Sequence, residues 1–111
     1  MPKRSQPDLL QGTLDLMILK ALSLEPMHGW AISQRISQIS TEAFSVNQGS
    51  LYPALHRLEE KGWVSSQTGT ADNNRTVKVY QLTRSGVAQL TKEKEDWNRL
   101  AAAMARLLEA Q

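Results

Sequence analysis

Asn47-Gln48-Gly49-Ser50-Leu51-Tyr52-Pro53-Ala54-Leu55-His56-Arg57-Leu58-Glu59-Glu60-Lys61-Gly62 reads as one helix with two unlike faces. At about 100° per residue Leu51, Leu55 and Leu58 fall on one stripe, while Gly49, Pro53, His56, Arg57 and Glu60 point the other way. Asn47 and Ser50 both suit the N-cap. Pro53 favours the later start, which would place it in the first turn. Lys61-Gly62 is a helix stop. A helix that is apolar behind and small, polar and basic in front displays its front to a partner.

Upstream, residues 28–40 carry Ile32, Ile36 and Ile39 on one stripe, with Gln34, Arg35, Ser37 and Gln38 largely outside it. Residues 41–46 form a short connection, with a strand-like stub at 43–46 as an option. Glu25-Pro26-Met27-His28-Gly29 breaks the periodicity before this second helix. The first helix begins at Asp8, where Leu9, Leu10, Leu14, Met17, Ile18 and Leu22 recur at helical spacing. Leu16, Leu19 and Ala21 widen its apolar surface, so it needs cover on two faces, and a second subunit is the simplest cover.

Downstream, residues 63–68 and 76–82 read as two strands separated by a turn-rich stretch at 69–75. Thr83 caps a last helix over residues 84–110, along which Leu90, Trp97, Ala101, Met104 and Leu108 are spaced like a coiled-coil seam. The fold class is therefore mainly α with a small β-hairpin: a winged helix-turn-helix plus a C-terminal dimerisation helix. Residues 1–7 read as a flexible tail; Lys3 and Arg4 are candidates to touch phosphates, but a solvated disordered terminus is the preferred reading. Residues 8–83 read as the winged-helix DNA-binding unit and 84–111 as the dimerisation helix. The expected dimer interface comprises Leu10, Leu14, Met17, Leu90, Trp97, Ala101, Met104 and Leu108.

Composition narrows the function. The chain has 111 residues, of which 41% are hydrophobic and 22% charged, the balance of one ordinary globular domain. No stretch reads as a signal peptide or membrane span, and cysteine is absent, which fits the cytoplasm. A net charge of +2 permits nucleic-acid binding without demanding it. The distribution is more telling. Gln48, Gly49, Ser50, Tyr52, Pro53, His56 and Arg57 lie at the start or front of the third helix, where an α-helix can enter the major groove. Asn73, Asn74, Arg75 and Lys78 form a polar, basic hairpin tip in which Asp72 is the one acid. Taken singly each group could be ordinary solvated surface; together they favour double-stranded DNA as the partner. No metal-ligand spacing, nucleophile elbow or nucleotide-binding loop occurs, so neither an enzyme nor a cofactor is expected.

The blocks Leu9-Leu-Gln-Gly-Thr-Leu-Asp-Leu-Met-Ile-Leu19, Met27-His-Gly-Trp30, Gly49-Ser-Leu-Tyr-Pro-Ala-Leu-His-Arg-Leu-Glu59, Gly62-Trp63 and Tyr80-Gln-Leu-Thr-Arg-Ser-Gly86 resemble the PadR family of bacterial transcriptional regulators. The resemblance spans nearly the whole chain and identifies it with the small type, which ends in a single helix. It implies a homodimer joined through the first and last helices, reading an inverted-repeat operator and usually repressing. It also implies a response to small aromatic or multidrug-like ligands. Trp97 occupies a place comparable to that of a ligand-stacking tryptophan, but its preferred reading is a large seam residue. The alternative function is a winged-helix module that binds proteins without sequence-specific DNA binding.

Overall fold

The computed structural model describes the backbone of residues 7–111 and the side chains of residues 12–111. Lys3, Arg4 and the rest of the expected tail up to residue 6 lie outside the described residues, as does the side chain of Leu10. The elements run α1 (Pro7–Leu24), β1 (Met27–His28), α2 (Gly29–Ile39), α3 (Gln48–Glu60), β2 (Val64–Thr70), β3 (Thr76–Leu82) and α4 (Arg84–Glu109). α1 starts one residue earlier than expected, with Pro7 in the first turn, where its missing N–H costs nothing.

α1 is the central post of the molecule, touching α2, α3, β3 and α4. Ile18, Leu19, Ala21 and Leu22 meet Ile32 and Ile36 of α2, Leu51, Ala54, Leu55 and Leu58 of α3, and Val64 and Tyr80 of the sheet in one core. Among the described residues of α1 the chain's own elements thus cover Leu14, Ile18, Leu19, Ala21 and Leu22, and leave Leu16 and Met17 half-buried. The expectation for Leu14 and Leu90 is corrected. They are 9% and 8% exposed and belong to the internal core rather than to a subunit seam, because α4 packs against α1. Ile39 is corrected the other way. It sits in the last turn of α2 and is 55% exposed, beyond the reach of the core.

Asn47 is the cap of α3. Its Oδ1 accepts from Ser50 N at 2.8 Å and its carbonyl from Leu51 N at 3.0 Å, so the helix starts at Gln48, earlier than Pro53 suggested. Pro53 therefore sits inside the helix and leaves the Gly49 carbonyl without its i+4 donor; both residues are on the exposed face, where water can serve that carbonyl. At the other end Gly62 takes φ +78°. Its N–H donates to the Glu59 carbonyl and that of Trp63 to the Leu58 carbonyl, each at 3.0 Å, a Schellman closure.

That closure explains why β2 begins at Val64 and not at Trp63: the Trp63 amide is still committed to α3. β2 then runs two residues further than expected, pairing antiparallel with β3 from Val64↔Leu82 to Thr70↔Thr76. β1, in the stretch expected only to break the helices, adds a short third strand with Met27↔Tyr80 and His28↔Val79, giving the order β1-β3-β2. The optional stub at 43–46 is not a strand. Thr41 and Glu42 have φ of 50° and 67°, and the Glu42 and Ala43 amides donate back to Ser37 and Ser40, turning the chain out of any extended path.

α4 is tied to the base of the hairpin. Thr83 Oγ1 donates to the Gly62 carbonyl at 2.6 Å and accepts from Gly86 N at 3.0 Å, while Thr83 N donates to the Trp63 carbonyl at 3.1 Å. A Cβ on Gly86 would collide with that same Trp63 carbonyl and lie 3.1 Å from Leu82 Cδ2. The obstacle is backbone and cannot rotate away. Gly86→Ala is therefore expected to destabilise the fold by about 1–3 kcal/mol, the usual range for overpacking, as a lowered midpoint in urea unfolding.

Candidate nucleic-acid interface

α3, the hairpin and the β1–α2 junction enclose a cleft of about 860 Å³. The outer face of α3 supplies Tyr52, His56 and Glu59; the hairpin supplies Asn73, Arg75, Lys78 and Tyr80; and the junction supplies His28, Gly29 and Trp30. Three separate stretches of the sequence thus face one another across a single concave surface.

Each wall has a local cause. The buried stripe Leu51, Leu55 and Leu58 fixes the rotation of α3, so Gly49, Pro53 and His56 face outward, as the sequence pattern indicated. Tyr52 is set by close packing: a Cβ on Gly29 would come within 2.7 Å of its Cε1 and Cζ, so its ring lies directly on the backbone that starts α2. His28 caps α2, accepting at Nδ1 from Ala31 N at 3.4 Å. At the tip, Asn74 takes φ 66°, its N–H donating to the Ala71 carbonyl, while Asn73 Oδ1 accepts from Arg75 N at 3.1 Å. Asn73 and Asn74 therefore shape the turn that holds out Arg75.

The polar groups of this face are not equally available. His56 Nε2 lies 3.2 Å from Glu60 Oε2, and Lys78 Nζ lies 3.9 Å from Glu59 Oε1, with the His56 and Lys78 side chains well exposed. Glu59 is also held by Ser66 Oγ at 2.7 Å. Contacts this exposed are weak enough for a polyanion to displace. Arg57 is different. Its guanidinium bonds Asp15 Oδ1 of α1 at 2.8 Å in a partly buried pair, turned away from the cleft that His56 enters. Gln48 also leans inward, donating to Ser33 Oγ of α2 at 3.3 Å. Of the residues expected to meet DNA, Tyr52, His56, Asn73, Arg75 and Lys78 line the cleft together; Gly49, Ser50 and Pro53 are exposed at the start of α3, and Asn74 at the tip. His28, Trp30 and Tyr80 line it too, and were missed as site residues.

A second concavity, about 350 Å³, lies on another side of the molecule. Leu16 and Met17 of α1, Ile39 of α2, Phe44 of the connector and Trp97 of α4 make it mostly apolar. Among the described residues no cluster of acidic or histidine side chains could hold a metal ion, and no helix is long and apolar enough to cross a membrane.

Residues 18–92 match the transcriptional regulator PadR-like family. The chain belongs to that family. Transcriptional regulator Rv3488 of Mycobacterium tuberculosis is 35% identical over 91 residues, covering 82% of this chain and 81% of that protein. A PadR-like transcriptional regulator from Bacillus cereus superposes with a TM-score of 0.77 at 25% identity, covering 93% of this chain and 98% of that one. A transcriptional regulator from Clostridium thermocellum shares the fold, with a TM-score of 0.83 at 24% identity over 92% of this chain and 99% of that one. As a PadR-like protein the chain is a DNA-binding transcriptional regulator and not an enzyme, which makes the cleft between α3 and the hairpin its candidate DNA surface.

The Asp15–Arg57 pair has a testable signature. Burial raises the Asp15 carboxyl above its ordinary value, and Arg57, by charge and hydrogen bond, and Lys61, by charge, offset only part of this. The folded state thus holds the Asp15 proton more tightly than the unfolded chain does. Its contribution to stability is full below the ordinary carboxylate pKa and is lost as pH rises through the raised folded value. Arg57→Met removes the largest offset, so that loss should extend to higher pH and the protein should be less stable at neutrality. Urea midpoints across pH 3 to 8, roughly the carboxylate range and above, would show this as a wider falling limb than in the parent.

Proposed function

We propose that the protein is a homodimeric repressor that places α3 in successive major grooves of an inverted-repeat operator, with each hairpin reaching the adjacent backbone. The observation that carries this reading is the cleft in which the outward side chains of α3 face a basic hairpin tip. The Arg75 guanidinium is in no ion pair among the described residues and has no acid to release before it meets a phosphate. The dimer is supported by α4. Beyond Leu90 every large apolar side chain of this helix is exposed, from Trp97, Leu100 and Met104 to Leu107 and Leu108, the last two at 67% and 75%. A long helix bearing such a row gains by pairing with a copy of itself.

Trp97 is at once part of that row and a wall of the apolar groove. We assign it first to the subunit seam. The groove is of a size suited to a small flat aromatic effector, which would enter beside Trp97. A protein of this kind works in the cytoplasm, with its DNA.

Light scattering on the purified chain should give twice its 12.4 kDa mass. Changing Leu107 and Leu108 together to Asp should shift the population to single chains. Footprinting upstream of the protein's own gene should protect a near-palindrome whose half-sites lie about 34 Å, one helical turn, apart. Affinity should fall steeply with salt, and Arg75→Ala should reduce the slope of log K against log salt by about 1, the release tied to one phosphate contact. A duplex affinity indifferent to salt would overturn the assignment.

A further inference from the structure

Resting on that reading, we infer that Trp30, in the first turn of α2, is a DNA-backbone contact: its indole ring packs on the sugar–phosphate strand that passes between α3 and the hairpin. Two observations carry this. Trp30 is 58% exposed, although tryptophan is a residue that folding usually covers. It also lines the cleft, beside Tyr52 and opposite Arg75 and Lys78, and at the same time borders the neighbouring surface depression with Arg35 and Gln38. Its ring is therefore a ridge at the edge of the cleft and not a piece of core.

Geometry supplies the ligand. When one element occupies a major groove and the next reaches across to the adjoining minor groove, the strand dividing the two grooves must run between those elements. Here that space is the cleft. A sugar–phosphate strand offers an apolar deoxyribose face and phosphate oxygens. Indole matches both, with a flat apolar ring and one N–H that can only donate. The contact is neutral, which suits this wall. Glu59 and Asp72 also line the cleft, and Arg75 and Lys78 are the cations that offset them. The position is held firmly, because Ser33 Oγ donates to the Trp30 carbonyl at 2.7 Å and the adjoining Gly29 is pressed against Tyr52.

A neutral backbone contact differs from both a cation and a base-reading side chain. Trp30→Ala should weaken binding about tenfold, the size of one hydrogen bond with its ring contact. The loss should be equal on an operator duplex and on a scrambled duplex of the same length. It should also leave the salt slope unchanged, where Arg75→Ala lowers it. Trp30→Phe, which keeps a ring without the N–H, should recover part of the loss. With fluorotryptophan incorporated in the whole protein, the fluorine resonance missing from Trp30→Phe should be the one that moves on adding either duplex.

Three results would overturn the inference. If both duplexes bind as before and the Trp30 resonance stays still, Trp30 lies off the DNA while the regulatory reading stands. If the loss is confined to the operator duplex, Trp30 reads bases and not backbone. If the parent protein binds neither duplex, the DNA reading itself fails and this contact with it.

Discussion

The geometry of the candidate DNA surface depends on one constraint: the Leu51, Leu55 and Leu58 stripe must be buried against α1. All three are essentially inaccessible, and with Ile18, Leu19 and Ile32 they are among the most fully buried side chains of the core. A helix so anchored has no freedom to roll. Rolling it by one residue would expose about two fully buried leucines, at about 1.5–3 kcal/mol each, and would bury His56. The outer face is therefore set by what the inner face cannot give up. The Asp15–Arg57 pair adds a polar peg at the same junction, and the Schellman closure at Gly62 sets where the helix ends and the hairpin begins.

Around that axis the molecule separates two jobs. One side gathers the cleft, whose residues come from the β1–α2 junction, α3 and the hairpin. Another gathers an apolar groove and the exposed row of α4. The two share no lining residue, so changes in the α4 row need not disturb the cleft directly. What they share is α1 and the ties at the root of the hairpin.

Much of this was legible in the sequence because it rests on local periodicity or capping chemistry. The stripe of α3, its stop at Gly62, the extent of β3 and the Thr83 cap are of that kind. The family blocks, from Met27-His-Gly-Trp30 to Tyr80 and Gly86, turn out to be packing motifs: Gly29 against Tyr52, Gly86 against the Trp63 carbonyl. What escaped depends on distance along the chain. A two-residue strand has no period to detect, so β1 read as a mere break. Arg57 looked free because its partner is 42 residues away. Leu14 and Leu90 were placed on the seam because spacing reports that a residue is apolar, not which apolar surface it meets. The cleft role of Trp30 had one signal, a large aromatic directly after the glycine that opens α2, and periodicity gives that no weight.

The knot at Thr83 has a mechanical consequence. One side chain and one amide join the end of α3, the start of β2 and the first turn of α4, with Gly86 removing the last slack. α4 is thereby tied at its root to both walls of the candidate cleft, so a change in the angle at which its far end is held is passed to the end of α3 and the base of the hairpin together.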